Sequence, residues 1–212
     1  KIKIGRRGAI NFFLSAKGIQ GHTANSNRAE NPAHHLITML QNIIADPLDE
    51  GNEYFLPSSV QIPTIDVGNP AANIIPEFAK ATINIRFNNM HTGDSLTQWL
   101  QEHIDKVFGN IKNSNCKFTT DQTGECFLNK PTELSNLISS AVRESTGKNG
   151  NIEMATDGGT SDARFIKNYC EVVELGIINQ TLHQIDECVN LSDLRDLHNL
   201  YFCILERYFN KN

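Results

Sequence analysis

The sequence predicts an α+β protein: a ferredoxin-like βαββαβ domain over residues 9–122, followed by part of an α/β layer over residues 123–212. Three observations predict it. Apolar and polar residues alternate along several separated runs, the pattern of half-buried strands. Two intervening segments switch to the 3.6-residue period of amphipathic helices. The runs follow the order β-α-β-β-α-β, the split-βαβ order that folds as an antiparallel four-stranded sheet with two helices on one face.

Residues 1–8, Lys-Ile-Lys-Ile-Gly-Arg-Arg-Gly, read as strand and hinge. The first residue is Lys1 and no basic, apolar and small-residue leader pattern follows, so the chain is expected to begin in mid-protein. From Ala9 to Gly18, Ile10, Phe12, Leu14 and Ala16 share one face, while Asn11, Ser15 and Lys17 share the other. Asn31-Pro32 reads as helix cap and first helical position. Ala33, Leu36, Ile37, Leu40 and Ile44 then recur at helical spacing until Asp46-Pro47. Strands are expected over Ser59–Val67 and Phe78–Asn88, a helix from Ser95 to Phe108 ending before Gly109, and a fourth strand over Cys116–Gln122. Beyond Gly124 the texture changes. A helix through Leu134, Leu137, Ile138, Ala141 and Val142 ends at Gly147. A Gly-rich loop then leads into a short helix, and Val172–Leu175 reads as a short buried strand. Ser192 is expected to cap a last helix with the stripe Leu194, Leu197, Leu200, Ile204 and Leu205.

Composition narrows the function classes. The chain has 212 residues, 39% hydrophobic and 20% charged, an ordinary globular balance. A net charge of −5 with both signs scattered excludes a basic nucleic-acid or membrane footprint. No apolar run approaches the about eighteen residues a membrane span needs. The five cysteines are odd in number and never spaced as CxxC, which supports neither a disulfide framework nor a thiolate metal site and fits a reducing cytosol.

The residues that can carry chemistry are few. In Asp157-Gly158-Gly159-Thr160-Ser161-Asp162-Ala163-Arg164-Phe165, the glycines let the backbone approach a ligand and Thr160 or Ser161 can cap the helix that follows. Free N–H groups there, with Arg164 nearby, suit a carboxylate; the alternative is a plain capped turn. His183 lies in a polar loop after a buried run, a setting that suits a metal ligand or a hydrogen-bonded surface imidazole. His22 closes the flexible turn Gly18-Ile19-Gln20-Gly21-His22, where its ring can donate to a developing oxyanion. Arg86, on the polar face of its strand, has the planar fork that grips a carboxylate, and Asn73 is a possible amide partner. His34, His35, His91 and His103 fall in or beside the helices and assemble no metal cluster by pattern.

Taken together, Gly5-Arg6-Arg7-Gly8, Gly18–His22, Asn73-Ile74-Ile75-Pro76, Ile85-Arg86-Phe87, the Gly158–Phe165 run, Val172–Gly176 and Leu182-His183-Gln184-Ile185-Asp186-Glu187 resemble the two-zinc aminoacylase and carboxypeptidase superfamily of metallopeptidases. The match is nearest to its branch that cleaves N-succinyl-L,L-diaminopimelate to succinate and L,L-diaminopimelate in bacterial lysine biosynthesis. The resemblance implies that residues 1–8 are a hinge and the end of a catalytic-domain segment, 9–122 a lid and dimerisation domain, and 123–212 the C-terminal part of an α/β zinc-hydrolase catalytic domain. It implies two zinc ions per subunit, replaceable by cobalt, a small-molecule substrate, a homodimer formed through the lid, and a bacterial cytoplasmic setting. It assigns His183 to a zinc and His22 to the oxyanion of the other subunit's site. Asn73 and Arg86 would bind substrate, and Gly159, Thr160, Arg164 and Asn179, with Arg6 or Arg7, would line the carboxylate sites.

Departures from the family pattern set further expectations. The remaining zinc ligands and the catalytic Glu belong to motifs that precede this stretch, and Asn25 stands where the family tends to carry an aromatic. The 212 residues alone are therefore expected to be inactive and to hold zinc weakly or not at all. Residues 123–212 are expected to expose apolar surface. The competing readings are another deacylase of the superfamily, such as an acetylornithine deacetylase or an aminoacylase, and a non-catalytic dimerisation module.

Overall fold

A computed structural model describes residues 1–147, 152–159, 161–178 and 180–210. The chain divides into two compact units, Arg7–Phe127 and Lys1–Arg6 with Leu128–Asn212. These divisions lie a few residues from the boundaries suggested by pattern.

The larger unit is built from β1 (Gly8–Lys17), α1 (Pro32–Ile44), β2 (Ser59–Asp66), β3 (Phe78–Phe87), α2 (Gly93–Phe108) and β4 (Asn115–Gly124). Its sheet has the order β2-β3-β1-β4, antiparallel throughout, which is the expected split-βαβ arrangement. β1 and β3 pair from Gly8↔Phe87 to Lys17↔Phe78, so the inward residues of both strands face the helices. Ile10, Phe12, Leu14 and Ala16 of β1 meet Ala79, Ala81, Ile83, Ile85 and Phe87 of β3 in one core with Leu36, Met39, Leu40, Leu96 and Leu100 from the helices. Each large side chain buried this way contributes about 1.5–3 kcal/mol relative to exposure. On β2, an edge strand, the register shifts between Gln61 and Thr64, where Pro63 has no N–H to give the ladder.

Local chemistry sets the helix ends. The Asn31 side chain accepts the Ala33 N–H at 3.0 Å, with Pro32 in the first turn. Thr92 and Ser95 form a reciprocal capping box, so α2 starts at Gly93 rather than at Ser95 as the periodicity suggests. Gly8 is required by a close approach: a Cβ there would lie 2.2 Å from the Phe87 ring. Gly8→Ala therefore forces that ring out of the core and is expected to lower stability by about 1–3 kcal/mol in denaturant unfolding. An unchanged midpoint would refute it.

In the smaller unit, Ile2–Lys3 pairs in parallel with Met154–Ala155. α3 (Glu133–Thr146) begins with a Thr132–Ser135 capping box and ends at Gly147, whose φ of 64° is the left-handed stop expected from sequence. α4 (Leu191–Phe209) packs on α3, and Arg207 pairs with Glu144. Three expectations are corrected here. Ser192 does not cap α4: the helix spans Leu191–Phe209, so its cap position is Asn190, two residues earlier, with no side-chain cap bond. Val172–Leu175 is half-buried and, among the described residues, pairs only at Glu174, which exchanges both backbone bonds with Lys3 at 2.8 and 2.9 Å. Of the α4 stripe only Leu200 and Ile204 are buried, whereas Leu194 and Leu205 are 49% and 53% exposed, because α3 covers one side of the helix. No described helix is long and apolar enough to cross a membrane.

Candidate active site

His22 stands on a loop whose sequence is dictated by close packing. A Cβ on Gly18 would lie 2.1 Å from the Glu30 carbonyl oxygen, so only glycine lets the two segments meet. Ile19 and Glu30 then exchange backbone bonds of 2.9 and 3.0 Å. Gly21–His22 forms a two-residue antiparallel ladder with Ile74–Ile75. His22 is itself the cap of the 3₁₀ turn Thr23–Arg28: its Nδ1 accepts the Ala24 N–H at 3.1 Å. Since Nδ1 accepts, the neutral ring carries its proton on Nε2, and this exposed side chain presents a donor. Asn25, exposed, kinks the same turn with φ −120° and ψ 44°.

The structure brings Asn73 to His22 and keeps Arg86 away from both. The Asn73 carbonyl accepts the Thr23 N–H at 3.0 Å, next to the His22↔Ile74 pair. Half-buried Arg86 lies opposite Ala9 and Ser59, at the other end of β3. At about 3.3 Å of rise per residue, the length of β3 puts roughly 25 Å between Arg86 and the His22 loop. Arg7, also half-buried, opens this unit at the Arg86 end of β1.

In the smaller unit the Gly-rich loop is organised by Glu174. Its carboxylate accepts from Arg6 Nε at 3.1 Å, from Arg6 Nη2 and from the Ser161 hydroxyl. Arg6 Nη1 donates to the Asp157 carbonyl at 2.9 Å, and Lys3 pairs with the Asp157 side chain. The Lys3 hydrogen bond holds the Asp157 carboxyl below its usual range against the opposing effect of burial. The Arg6 fork is thus already engaged within the chain. Of the two expected cap residues, Thr160 lies outside the described residues and Ser161 gives its hydroxyl to Glu174 instead; the helix is the four-residue turn Ala163–Ile166, preceded by Asp162 without a side-chain cap bond. Gly158 has φ 103°, and a Cβ on Gly159 would meet nothing within 4 Å, which leaves its backbone open to a ligand. Arg164 stacks over the Phe165 ring at 4.6 Å, and its Nε is buried without a hydrogen-bond partner among the described residues. Thr160 and Asn179 lie outside the described residues. His183 sits on an exposed loop with φ 62°, its N–H donating to the Glu187 carboxylate at 3.2 Å.

Among the described residues no group of three or more His, Cys, Asp or Glu side chains could hold a metal, so the described part of this chain does not by itself fit a zinc centre. Three of the four set-aside histidines have structural partners. His35 donates to Glu30 at 2.6 Å, His91 to Asp49 at 3.0 Å and His103 to Asp46 at 3.2 Å. Sequence reasoning missed the Glu174 clamp, whose signal was an acid inside an apolar run, and the roles of Thr23 and Ala24, which left none.

Residues 4–112 match the M20 family model described as the peptidase dimerisation domain. The chain belongs to the M20 peptidase dimerisation family. The M20 match takes in His22, Asn73, Arg86 and most of the four-stranded sheet. A curated relative, the succinyl-diaminopimelate desuccinylase of Parvibaculum lavamentivorans, is 45% identical over 208 residues, covering 98% of this chain and 52% of its own. The chain spans about half the length of the curated relatives it matches. Among solved structures, a tripeptidase from Staphylococcus aureus superposes with a TM-score of 0.79 at 16% identity, over 97% of this chain and 52% of that one. An M20 family metallo-carboxypeptidase from Sulfolobus solfataricus gives 0.73 at 12% identity, over 97% and 59%. At these identities the two structures speak for the fold alone.

Proposed function

We propose that this chain is the lid and part of the substrate-binding framework of a metal-dependent succinyl-diaminopimelate desuccinylase. The observation that carries the reading is 45% identity across nearly the whole chain to a relative of that name. The complete enzyme would add water across the amide of N-succinyl-L,L-diaminopimelate and release succinate and L,L-diaminopimelate, in the bacterial cytoplasm and in lysine biosynthesis. His22 would offer Nε2–H to the oxygen that becomes negative at the amide carbon; the acceptor role of its Nδ1 supports this donor state. Arg164 would hold a substrate carboxylate beside the open backbone of Gly159, and Thr160 and Asn179 would contribute to binding it. The Arg164 Nε, buried and without a hydrogen-bond partner among the described residues, supports that role. Arg86 would grip a second carboxylate, and Arg7 would assist near it. Arg6 would act indirectly, by fixing the Gly-rich loop through Glu174 and Asp157.

The roughly 25 Å that separates the His22 loop from Arg86 within one lid supports a homodimer in which His22 and Asn73 serve the partner subunit's substrate. His183 would supply one ligand to a pair of zinc ions, replaceable by cobalt, whose other ligands lie outside the described residues. Two assays test the reading. A panel of N-acylated amino acids on the full-length enzyme is expected to show preference for the succinylated, multiply charged substrate, and preference for acetylornithine would overturn it. The 212-residue chain alone is expected to show no turnover with zinc or cobalt supplied, and robust turnover would overturn its assignment as a part.

A further inference from the structure

We propose that Thr23 is a positioning residue for His22, stapling the His22 loop to Asn73; this rests on the oxyanion role given to His22 above. The ladder that orients His22 is only two residues long, Gly21–His22 against Ile74–Ile75, too short to fix a side chain alone. Thr23 extends it. Its N–H donates to the Asn73 carbonyl at 3.0 Å and its Oγ1 donates to the same oxygen at 3.3 Å. The receiving segment is braced in turn, with Asn69 Nδ2 donating to the Ile74 carbonyl at 2.7 Å and Asn69 Oδ1 accepting the Ala71 N–H at 3.2 Å. On the other side of Thr23, the Ala24 N–H fixes the His22 ring through Nδ1. The two adjacent residues therefore set two things, where the imidazole stands and which nitrogen carries its proton. Thr23 is exposed and no part of the hydrophobic core, so packing does not account for a hydroxyl there.

The test uses the full-length enzyme. Thr23→Val keeps the branched shape and the backbone N–H while removing the hydroxyl. It is expected to lower kcat about three- to tenfold, the scale one hydrogen bond sets. Thr23→Ser is expected to restore the rate to within about twofold. Because Thr23 acts through His22, the double variant His22→Ala with Thr23→Val should be no slower than His22→Ala alone. Wild-type rates for Thr23→Val, while His22→Ala is crippled, would overturn the positioning role and leave the oxyanion role standing. So would a Thr23→Ser enzyme as slow as Thr23→Val, or a full additional loss in the double variant. An unimpaired His22→Ala enzyme would overturn both.

Discussion

In the full-length enzyme, His22→Ala is expected to lower kcat about 10²–10³-fold, the usual loss when one oxyanion donor is removed, with little change in KM. The four-stranded unit should survive the change. His22 is exposed and makes one capping bond, and such bonds are worth about 0.5–2 kcal/mol. His22→Asn keeps a capping oxygen and an amide donor, so it should fold like the parent and recover part of the rate. The geometry also makes a prediction about subunits. If His22 serves the partner's site while His183 serves its own, mixing His22→Ala and His183→Ala subunits restores one intact site per mixed dimer. Random exchange of two inactive homodimers should then return about one quarter of wild-type activity. Action within one subunit restores none, because every site then lacks one group. A His22→Ala enzyme within threefold of wild type, or no recovery on mixing, would remove His22 from the chemistry or from the dimer-spanning role respectively.

What could be read from the sequence was what is decided locally. The alternation of Ile10, Phe12, Leu14 and Ala16 fixes which face of β1 is buried, and all four are at most 2% exposed. Asn31 followed by Pro32 defines the start of α1 because both act within one turn. His22, Asn73 and Arg86 could be named, but not the separation that the length of β3 imposes between them. The misses come from contacts distant in sequence. Ser161 could equally cap a helix or bind an acid, and only the approach of Glu174 decides between them. Thr23 binds a main-chain carbonyl fifty residues away, a contact that leaves no mark on side-chain patterns. Val172–Leu175 has the composition of a buried strand, yet strand pairing depends on neighbours, and among the described residues only Lys3 pairs with it.

The largest stability effect is expected at Asp49, whose side chain is 1% exposed within the four-stranded unit. Burial opposes its charge, but hydrogen bonds from Ser58, the Gly51 N–H, the Ser58 N–H and Asn88 outweigh burial and hold the carboxyl below its ordinary pKa of 3.8. The donors are close: Asn88 Nδ2 at 2.6 Å, Gly51 N at 2.7 Å and His91 Nε2 at 3.0 Å. Asn88 is fully buried, and without Asp49 its Nδ2 keeps only the long 3.5 Å contact to the Leu56 carbonyl, so its amide loses its strong acceptor away from water. Asp49→Ala should therefore destabilise the lid by about 2–4 kcal/mol. Trp99, the sole tryptophan, packs against the lid core, so its fluorescence follows this unit specifically. The pH dependence has a definite sign. A depressed folded pKa means the unfolded lid binds the proton first, so the Asp49 contribution is complete above about pH 4 and is lost as pH falls through the folded value. Asp49→Asn should cost stability at neutral pH and flatten this acid slope. A parental midpoint for Asp49→Ala, or an unchanged acid slope for Asp49→Asn, would show that the carboxylate is not what holds the 49–58 loop to Asn88.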